Sequence, residues 1–357
     1  VIIGEILVRT SGVCETWWEK NVAWWQQNTA WWKKNKNNYI SPYAEPSNKT
    51  WYWVRTPNAK TNYKLAEFEY PVVTNSLGLR DVEPALARPE NEFYLITLGD
   101  SFTEGFGAEY ESSYPKWLER NLREKCAPLH VRVINGGVCG SDPFYSFTLL
   151  RDKLLPYQPN LVTVAINSSD ITDLIVRGGE ERFLENGGVK FVEPPQDEWL
   201  FAGSHLYRLL KRSLGYDWLG LSPSELMAKK ERAVNDLIVA LGKFNALAMK
   251  EHFVFVAILH PANRFEALSQ RYSFDANALK RYMEENQIQY VDLMSAFADK
   301  AKMGESEVNK LYWQQDGHNN AEGYRIMAEA LAAYILDHKL LSSCLTADET
   351  VLMSNHF

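Results

Sequence analysis

Apolar residues follow two different registers along this chain. Between about residue 90 and residue 340, short unbroken apolar runs alternate with longer stretches in which apolar side chains return every three to four positions. The runs occupy residues 93–98, 131–134, 161–166, 252–259 and 288–293. The longer stretches occupy residues 114–125, 143–155, 224–250, 276–286 and 321–338. A continuous apolar run suits a strand covered on both faces, and a three-to-four-residue return suits a helix with one buried stripe. Strands alternating with helices predict a parallel sheet, right-handed crossovers and helices on both sides. The expected fold class is α/β, a three-layer α/β/α sandwich around a five-stranded parallel sheet, over residues 71–340. The alternation lapses over about 170–223, a segment that holds Arg177-Gly178-Gly179, Gly187-Gly188 and Pro194-Pro195. An insertion that long is either a lid or a plain elaboration.

Residues 1–70 obey another rule. Eight of the 12 tryptophans lie there, six of them as the pairs Trp17-Trp18, Trp24-Trp25 and Trp31-Trp32. Asn21, Asn28 and Asn35 repeat with the same spacing of seven, as do Ala23 and Ala30. Seven residues are close to two helical turns, so the pairs line one face. Two readings stay open: a stripe packed on the main domain or a partner chain, or a helix lying at a membrane surface, where Trp favours the headgroup zone. Residues 38–70, rich in Asn, Pro, Tyr and Lys, read as an extended, irregular arm. Asn48-Lys49-Thr50 fits the glycosylation pattern. Residues 341–357 read as a tail.

Charge narrows the function classes. The net charge of -7 argues against a nucleic-acid binder, and the small basic cluster Lys33, Lys34 and Lys36 suits a solvated helix end. Cys14, Cys126, Cys139 and Cys344 form no CxxC pair, so a zinc site is not expected, while one disulfide is possible with no pairing favoured. No run reaches the ~20 apolar residues of a membrane span. The opening Val1-Ile2-Ile3-Gly4, before Glu5 and Arg9, reads as the tail of a removed signal or anchor. With it goes the expectation of an extracytoplasmic protein: periplasmic, cell-surface or membrane-anchored.

The candidate chemistry sits where the strands end. Gly99-Asp100-Ser101-Phe102-Thr103-Glu104-Gly105 closes the first run and opens a helical stretch. In parallel sheets, sites form at carboxyl ends of strands, and the first N–H groups of a helix favour negative charge. Asn135-Gly136-Gly137-Val138-Cys139-Gly140 follows the second run, and Asn167-Ser168-Ser169-Asp170 the third. Asp316-Gly317-His318-Asn319-Asn320 precedes the last helix. In this order the blocks resemble those of the SGNH (GDSL-type) hydrolases: G-D-S-x-T-x-G, N-x-G-x-x-G, G-x-N-D and D-x-H. Asn75-Ser76-Leu77-Gly78-Leu79-Arg80-Asp81 resembles the N-S-x-G-x-R segment that precedes the first block in exported or membrane-anchored members, and it is expected to clamp the arm onto the domain.

That resemblance implies a flavodoxin-like sheet and a serine esterase. Ser101 would be the nucleophile, His318 its base and Asp316 the orienter of the imidazole, with Gly99, Asp100, Gly105 and Asp170 supporting the motifs. The N–H groups of Ser101 and Gly137 would bind the oxyanion. The third block departs from the family pattern: aligning on Asp170 puts Ser169 where Asn is usual, so either Asn167 or Ser169 would be the third donor. Asn167 and Ser168 could instead only cap the next helical turn. His260 lies on the same sheet edge and could line the pocket. No metal or cofactor is implied. The substrate expected is an acyl ester, an O-acetyl group on a carbohydrate first among them, with transfer to a sugar alcohol also open. The altered third block and the Trp stripe keep a second reading alive, a weakly active or inactive assembly protein binding partners through Trp17, Trp18, Trp24, Trp25, Trp31 and Trp32.

Overall fold

In the computed structural model, the described residues are 54–86, 92–127, 129–184, 204–217 and 219–341, with residues 39–40 and the single positions 189, 192, 196, 197 and 200. The Trp pairs, Lys33–Lys36 cluster, Asn48-Lys49-Thr50, Cys14, Cys344 and the tail lie outside them.

Two short strands, β1 (Tyr39–Ile40) and β2 (Val54–Arg55), pair antiparallel, and β3 (Lys60–Lys64) and β4 (Glu69–Val73) form a hairpin. Five parallel strands follow: β5 (Glu92–Gly99), β6 (His130–Gly137), β7 (Leu161–Ile166), β8 (Val254–Leu259) and β9 (Gln289–Asp292). Their order, β6-β5-β7-β8-β9, is the flavodoxin-like arrangement, with its topological switch beside β5. Between and after them run α1 (Ser101–Glu104), α2 (Tyr114–Lys125), α3 (Pro143–Leu149), α4 (Ser168–Arg177), α5 (His205–Ser213), α6 (Pro223–Glu251), α7 (Arg264–Ser269), α8 (Ala276–Glu285), α9 (Met294–Met303), α10 (Glu305–Asn309) and α11 (Ala321–Asp337). No helix among the described residues is long and apolar enough to cross a membrane.

Alternation along the strands makes the three layers. Ile96, Leu98, Ile134, Val162, Val164, Phe255 and Ala257 face one core with Leu149, Leu174, Leu237, Phe244 and Met283 from α3, α4, α6 and α8. Leu95, Val131, Val133, Leu161, Val256 and Ile258 face the other, with Leu118, Leu122, Phe297, Met327 and Leu331 from α2, α9 and α11. Successive side chains of one strand thus feed opposite cores, which is why the runs are apolar without a break.

The sequence reading differs from the fold in three places. The stretch read as one helix over 143–155 is α3, a wide π turn over Leu150–Leu154 and a tight turn over Leu155–Tyr157. Pro156, with no N–H to give, stands where that regular ladder stops. Residues 168–177, not among the stretches read as helices, form α4 with Asn167 as its cap, and α5 is a second helix within the 170–223 insertion. The arm is not irregular throughout: the β3–β4 hairpin straddles residue 70, and its Phe68, Tyr70 and Val72 share a small core with Phe106 of the main domain.

Two buried arginines fasten that arm. Arg55 Nε and Nη2 donate to Glu104 Oε1 at 2.8 and 2.5 Å, and the two side chains are 4% and 2% exposed. Arg80 donates to the carbonyls of Gly105 (2.8 Å) and Ala108 (2.7 Å) and stacks over Tyr70. Asn75 Oδ1 accepts from the N–H groups of Leu77 and Leu79, which folds the turn that aims Arg80. Removing one partner of a buried ion pair strands the other charge, at about 3–5 kcal/mol. Arg55→Met is therefore expected to lower unfolding stability by about that much, and Arg55→Met with Glu104→Gln to recover part of it; denaturant melts that show Arg55→Met equal to wild type would contradict this role.

Candidate active site

The carboxyl edge of the sheet brings together residues separated by more than 200 positions. Ser101 is the first residue of α1, directly after β5, and is 7% exposed. Its Oγ lies 2.8 Å from His318 Nε2, and His318 Nδ1 lies 2.6 Å from Asp316 Oδ1. With the Nδ1 proton held toward the carboxylate, Nε2 is left as the acceptor for the serine hydroxyl. The imidazole sits between the rings of Phe102 and Phe106, each with its centroid 4.8 Å away. This fixes its plane without competing for its nitrogens.

The loop that carries Asp316 and His318 is closed by its own backbone: Trp313 N–H donates to the His318 carbonyl and Gly317 N–H to the Trp313 carbonyl, both at 2.9 Å. Trp313 Nε1 donates to the Gly107 carbonyl (2.8 Å), and Tyr324 of α11 to the Phe106 carbonyl (2.8 Å). Asn320 caps α11 by accepting from Glu322 and Gly323. The base and the nucleophile therefore share a frame made by the 105–108 segment.

Asp100 occupies the other side. Its Oδ1 accepts the Phe102 N–H (2.9 Å), and its Oδ2 accepts from Asn167 Nδ2 (3.0 Å) and Ser169 Oγ (2.9 Å). Asn167 also caps α4 and forms a reciprocal box with Asp170. Burial first, and then the nearby Asp100 charge, hold the Asp170 carboxyl well above its ordinary range. His260 is fully buried behind this group: Asn167 Nδ2 is 3.2 Å from its Nε2, its Nδ1 is 3.2 Å from the Pro261 carbonyl, and its ring is 4.9 Å from Phe102. It forms the layer behind the site and not the pocket lining.

These contacts redistribute the expected oxyanion donors. Gly137 N–H is taken by Asn135 Oδ1 at 2.9 Å, and the glycine is required for another reason: a Cβ there would stand 2.2 Å from the Glu104 nitrogen and 2.4 Å from the Thr103 carbonyl carbon. It lets β6 pass close to α1. Both Asn167 amide hydrogens are directed at Asp100 and His260, and the single Ser169 hydroxyl proton faces Asp100 Oδ2 and Asn167 Oδ1. The donors left are the Ser101 N–H, which as the first helical residue has no intrahelical acceptor, and the turn around Gly140. Cys139 N–H donates to Glu104 Oε2 (2.8 Å), Val138 N–H and Ser141 Oγ to the Gly99 carbonyl (3.0 and 2.9 Å), so Gly140 is held between two contacts to the nucleophile turn.

Three features of the site had no sequence signal: the aromatic wall, the Arg55–Glu104 pair and Glu67. Tyr63, Phe68, Phe106 and Trp313 build the wall beside His318; Tyr63 meets Phe106 edge-on at 5.3 Å and Phe68 lies 5.2 Å from Trp313. Burial, and then the nearby Cys139, push the Tyr63 hydroxyl up to about 12, so it stays a neutral donor. Cys139 is in no disulfide, and Cys126 is disulfide-bonded. Among the described residues no cluster of three His, Cys, Asp or Glu side chains is placed to hold a metal ion.

A doubly wound sheet with a serine just past the end of its first strand, β5, next to a histidine and an aspartate, places this protein among the serine hydrolases. It belongs to the GDSL-like lipase/acylhydrolase family, whose model matches residues 97–326, and is therefore an ester-hydrolysing enzyme. Among solved structures the chain is similar to an acetyl xylan esterase (15% identity, TM-score 0.43, covering 68% of this chain and 100% of that one). It is also similar to a catalytic mutant of an acetylxylan esterase from Geobacillus stearothermophilus (16%, 0.42, 68% and 94%). A third is an alpha/beta hydrolase enzyme from the metagenome of Lake Arreo, Spain (16%, 0.43, 68% and 94%). No curated protein matches the sequence.

The buried His260 gives a pH test of this arrangement. Burial, acting against the attraction of Asp100, holds its imidazole below the ordinary value. The unfolded chain takes up a proton at residue 260 near pH 6.5 that the native state refuses, so the native state loses stability as pH falls below that value. His260→Gln keeps an acceptor for Asn167 and has no such proton. From pH 7 to pH 5 the wild type is expected to lose more stability than this variant in denaturant melts; parallel losses would contradict a neutral buried imidazole.

Proposed function

We propose that the chain is a serine esterase that removes short acyl groups, O-acetyl first among them, from a carbohydrate. The observation that carries the mechanism is the hydrogen-bonded series Ser101–His318–Asp316, with distances of 2.8 and 2.6 Å. Ser101 Oγ attacks the ester carbonyl carbon as its proton passes to His318 Nε2, and Asp316 keeps the imidazole in the right tautomer and stabilises its charged form. The tetrahedral oxyanion is bound by the N–H groups of Ser101 and Gly140. Collapse expels the alcohol, which takes the proton from His318. Water then attacks the acyl-enzyme by the same route, giving the carboxylic acid and free Ser101. Each oxyanion donor of this kind is worth roughly 10²–10³ in turnover.

Support for the carbohydrate comes from the wall beside His318. Half-buried aromatic rings with a polar rim, here Tyr63 and Trp313, suit the C–H face of a sugar ring while its hydroxyls stay wet. Support for a short acyl group is the enclosure of Ser101, 7% exposed between the Gly140 turn and Phe102.

The test pairs a serine-directed phosphonate with a panel of esters. Mass spectrometry is expected to find the label on Ser101 and none in Ser101→Ala. Asp316→Ala is expected to lower kcat by about 10³–10⁴. Acetyl esters and acetylated oligosaccharides should be cleaved faster than esters of eight or more carbons. An unlabelled Ser101 in folded protein would sink the mechanism, and a preference for long acyl chains would sink the substrate assignment.

A further inference from the structure

We infer that Glu67, at the tip of the β3–β4 hairpin, is a positioning residue for the proposed Ser101–His318–Asp316 series; the inference rests on that reading of the site. Its carboxylate accepts three consecutive backbone N–H groups of the loop that carries Asp316 and His318. Glu67 Oε1 takes Gln314 N–H at 2.9 Å, and Oε2 takes Gln315 and Asp316 N–H at 2.7 and 2.8 Å.

The direction of the Asp316 side chain depends on this clamp. Asp316 Oδ1 is the acceptor for both His318 Nδ1 and the His318 N–H (2.6 and 3.2 Å), so a rotation of the backbone at residue 316 swings the imidazole with it. The loop's own bonds, Gly317 N–H to the Trp313 carbonyl and Trp313 N–H to the His318 carbonyl, close it on itself, and the Gln314 side chain meets Arg264 and the Asn309 and Tyr312 carbonyls, but the backbone N–H groups of Gln315 and Asp316 go to Glu67. Gly317 has φ 90°, and a Cβ there would meet no atom within 4 Å, so the tip is not packed from outside. Gln314 and Gln315 are exposed. The clamp at residues 314–316 therefore ties the tip's backbone to the hairpin, where outside packing does not reach.

The hairpin does not need Glu67 for itself. Its turn is closed by backbone, Leu65 N–H to the Phe68 carbonyl at 3.0 Å, and neither carboxylate oxygen serves a hairpin group. The next residue sets the reach: Phe68 packs on Trp313, 5.2 Å between ring centroids, and Trp313 is bonded to Gly107. The hairpin thus stands at a fixed distance from the loop. A carboxylate is the side chain that can meet three converging N–H groups with two oxygens, each able to accept more than one bond. Glu67 also lies outside residues 97–326, so this contribution to the site comes from the arm and not from the family segment.

Three purified proteins test this: Glu67→Ala, Glu67→Gln and, as control, Ser101→Ala. The readouts are kcat and KM on an acetyl ester, the rate constant for phosphonate labelling of Ser101, and Tm. A misplacement of about 1 Å at a reacting group can cost ~10²-fold. Glu67→Ala is expected to lower kcat and the labelling rate constant together by about 10–100-fold, with KM within about twofold. Glu67→Gln keeps the shape but loses one of the two acceptors, so it should fall between, at a Tm near wild type. Wild-type kcat and labelling in Glu67→Ala would overturn the inference. So would a fall in Tm with an unchanged labelling rate constant, which is what a merely structural role gives. If Glu67→Ala does not fold, Glu67→Gln decides: slowed labelling at wild-type Tm upholds the inference, and wild-type labelling overturns it. Failure of the series itself shows elsewhere, as an unlabelled Ser101 in wild type or full turnover in Ser101→Ala, and would remove the inference with it.

Discussion

A carboxylate shut away from water must be met on its oxygens by protein donors, and two such groups bracket the nucleophile turn. Asp100 gathers the Phe102 N–H, Asn167 and Ser169, which joins the ends of β5 and β7. Glu104, three residues after Ser101, gathers Arg55 from the arm and the Cys139 N–H from the turn after β6. Losing any one of these donors would leave a charge that cannot be solvated in place, so the turn has few ways to rearrange. Ser101 is held by what its neighbours demand and by its own carbonyl, which accepts from the Gly105 and Phe106 N–H groups, while its hydroxyl meets His318.

The insertion is rooted by the same logic. Asp142 caps α3 and is buried, and both its oxygens accept from Arg182 Nη2 (2.7 and 2.9 Å), with Oδ2 also accepting from Arg177 Nη1 (3.1 Å). The two guanidinium groups hold its carboxyl below the usual range against the effect of burial. Asp142 comes two residues after Gly140, so the base of the 170–223 segment and the candidate oxyanion turn share one ion-pair cluster.

What the sequence made legible was whatever depends on periodicity or on local order. The five apolar runs gave the strands because each faces two cores, and the four blocks gave Ser101, His318 and Asp316 because their spacing along the chain is itself the signal. The hairpin was hidden: Lys60, Thr61, Asn62 and Lys64 are exposed on β3, and only Tyr70 and Val72 alternate inward on β4. α4 was hidden because Asn167-Ser168-Ser169 reads the same whether one turn or three follow. Donor assignments were not legible at all. Whether the Gly137 N–H points at a substrate or at Asn135 Oδ1 depends on a rotamer, and whether Asn167 is available depends on a histidine 93 positions away. Glu67 carries no motif, since any loop can hold a Glu.

The Arg55–Glu104 pair has one more consequence. The stretch that defines the family begins at residue 97, yet the partner of its buried Glu104 comes from residue 55. Excised at the family boundary, the domain would present a naked anion, an empty seat for Arg80 and an uncovered Phe106. Recombination that moved only the family segment into another protein would therefore transplant a broken part. The unit that travels intact through evolution, or through an engineer's hands, has to include the arm.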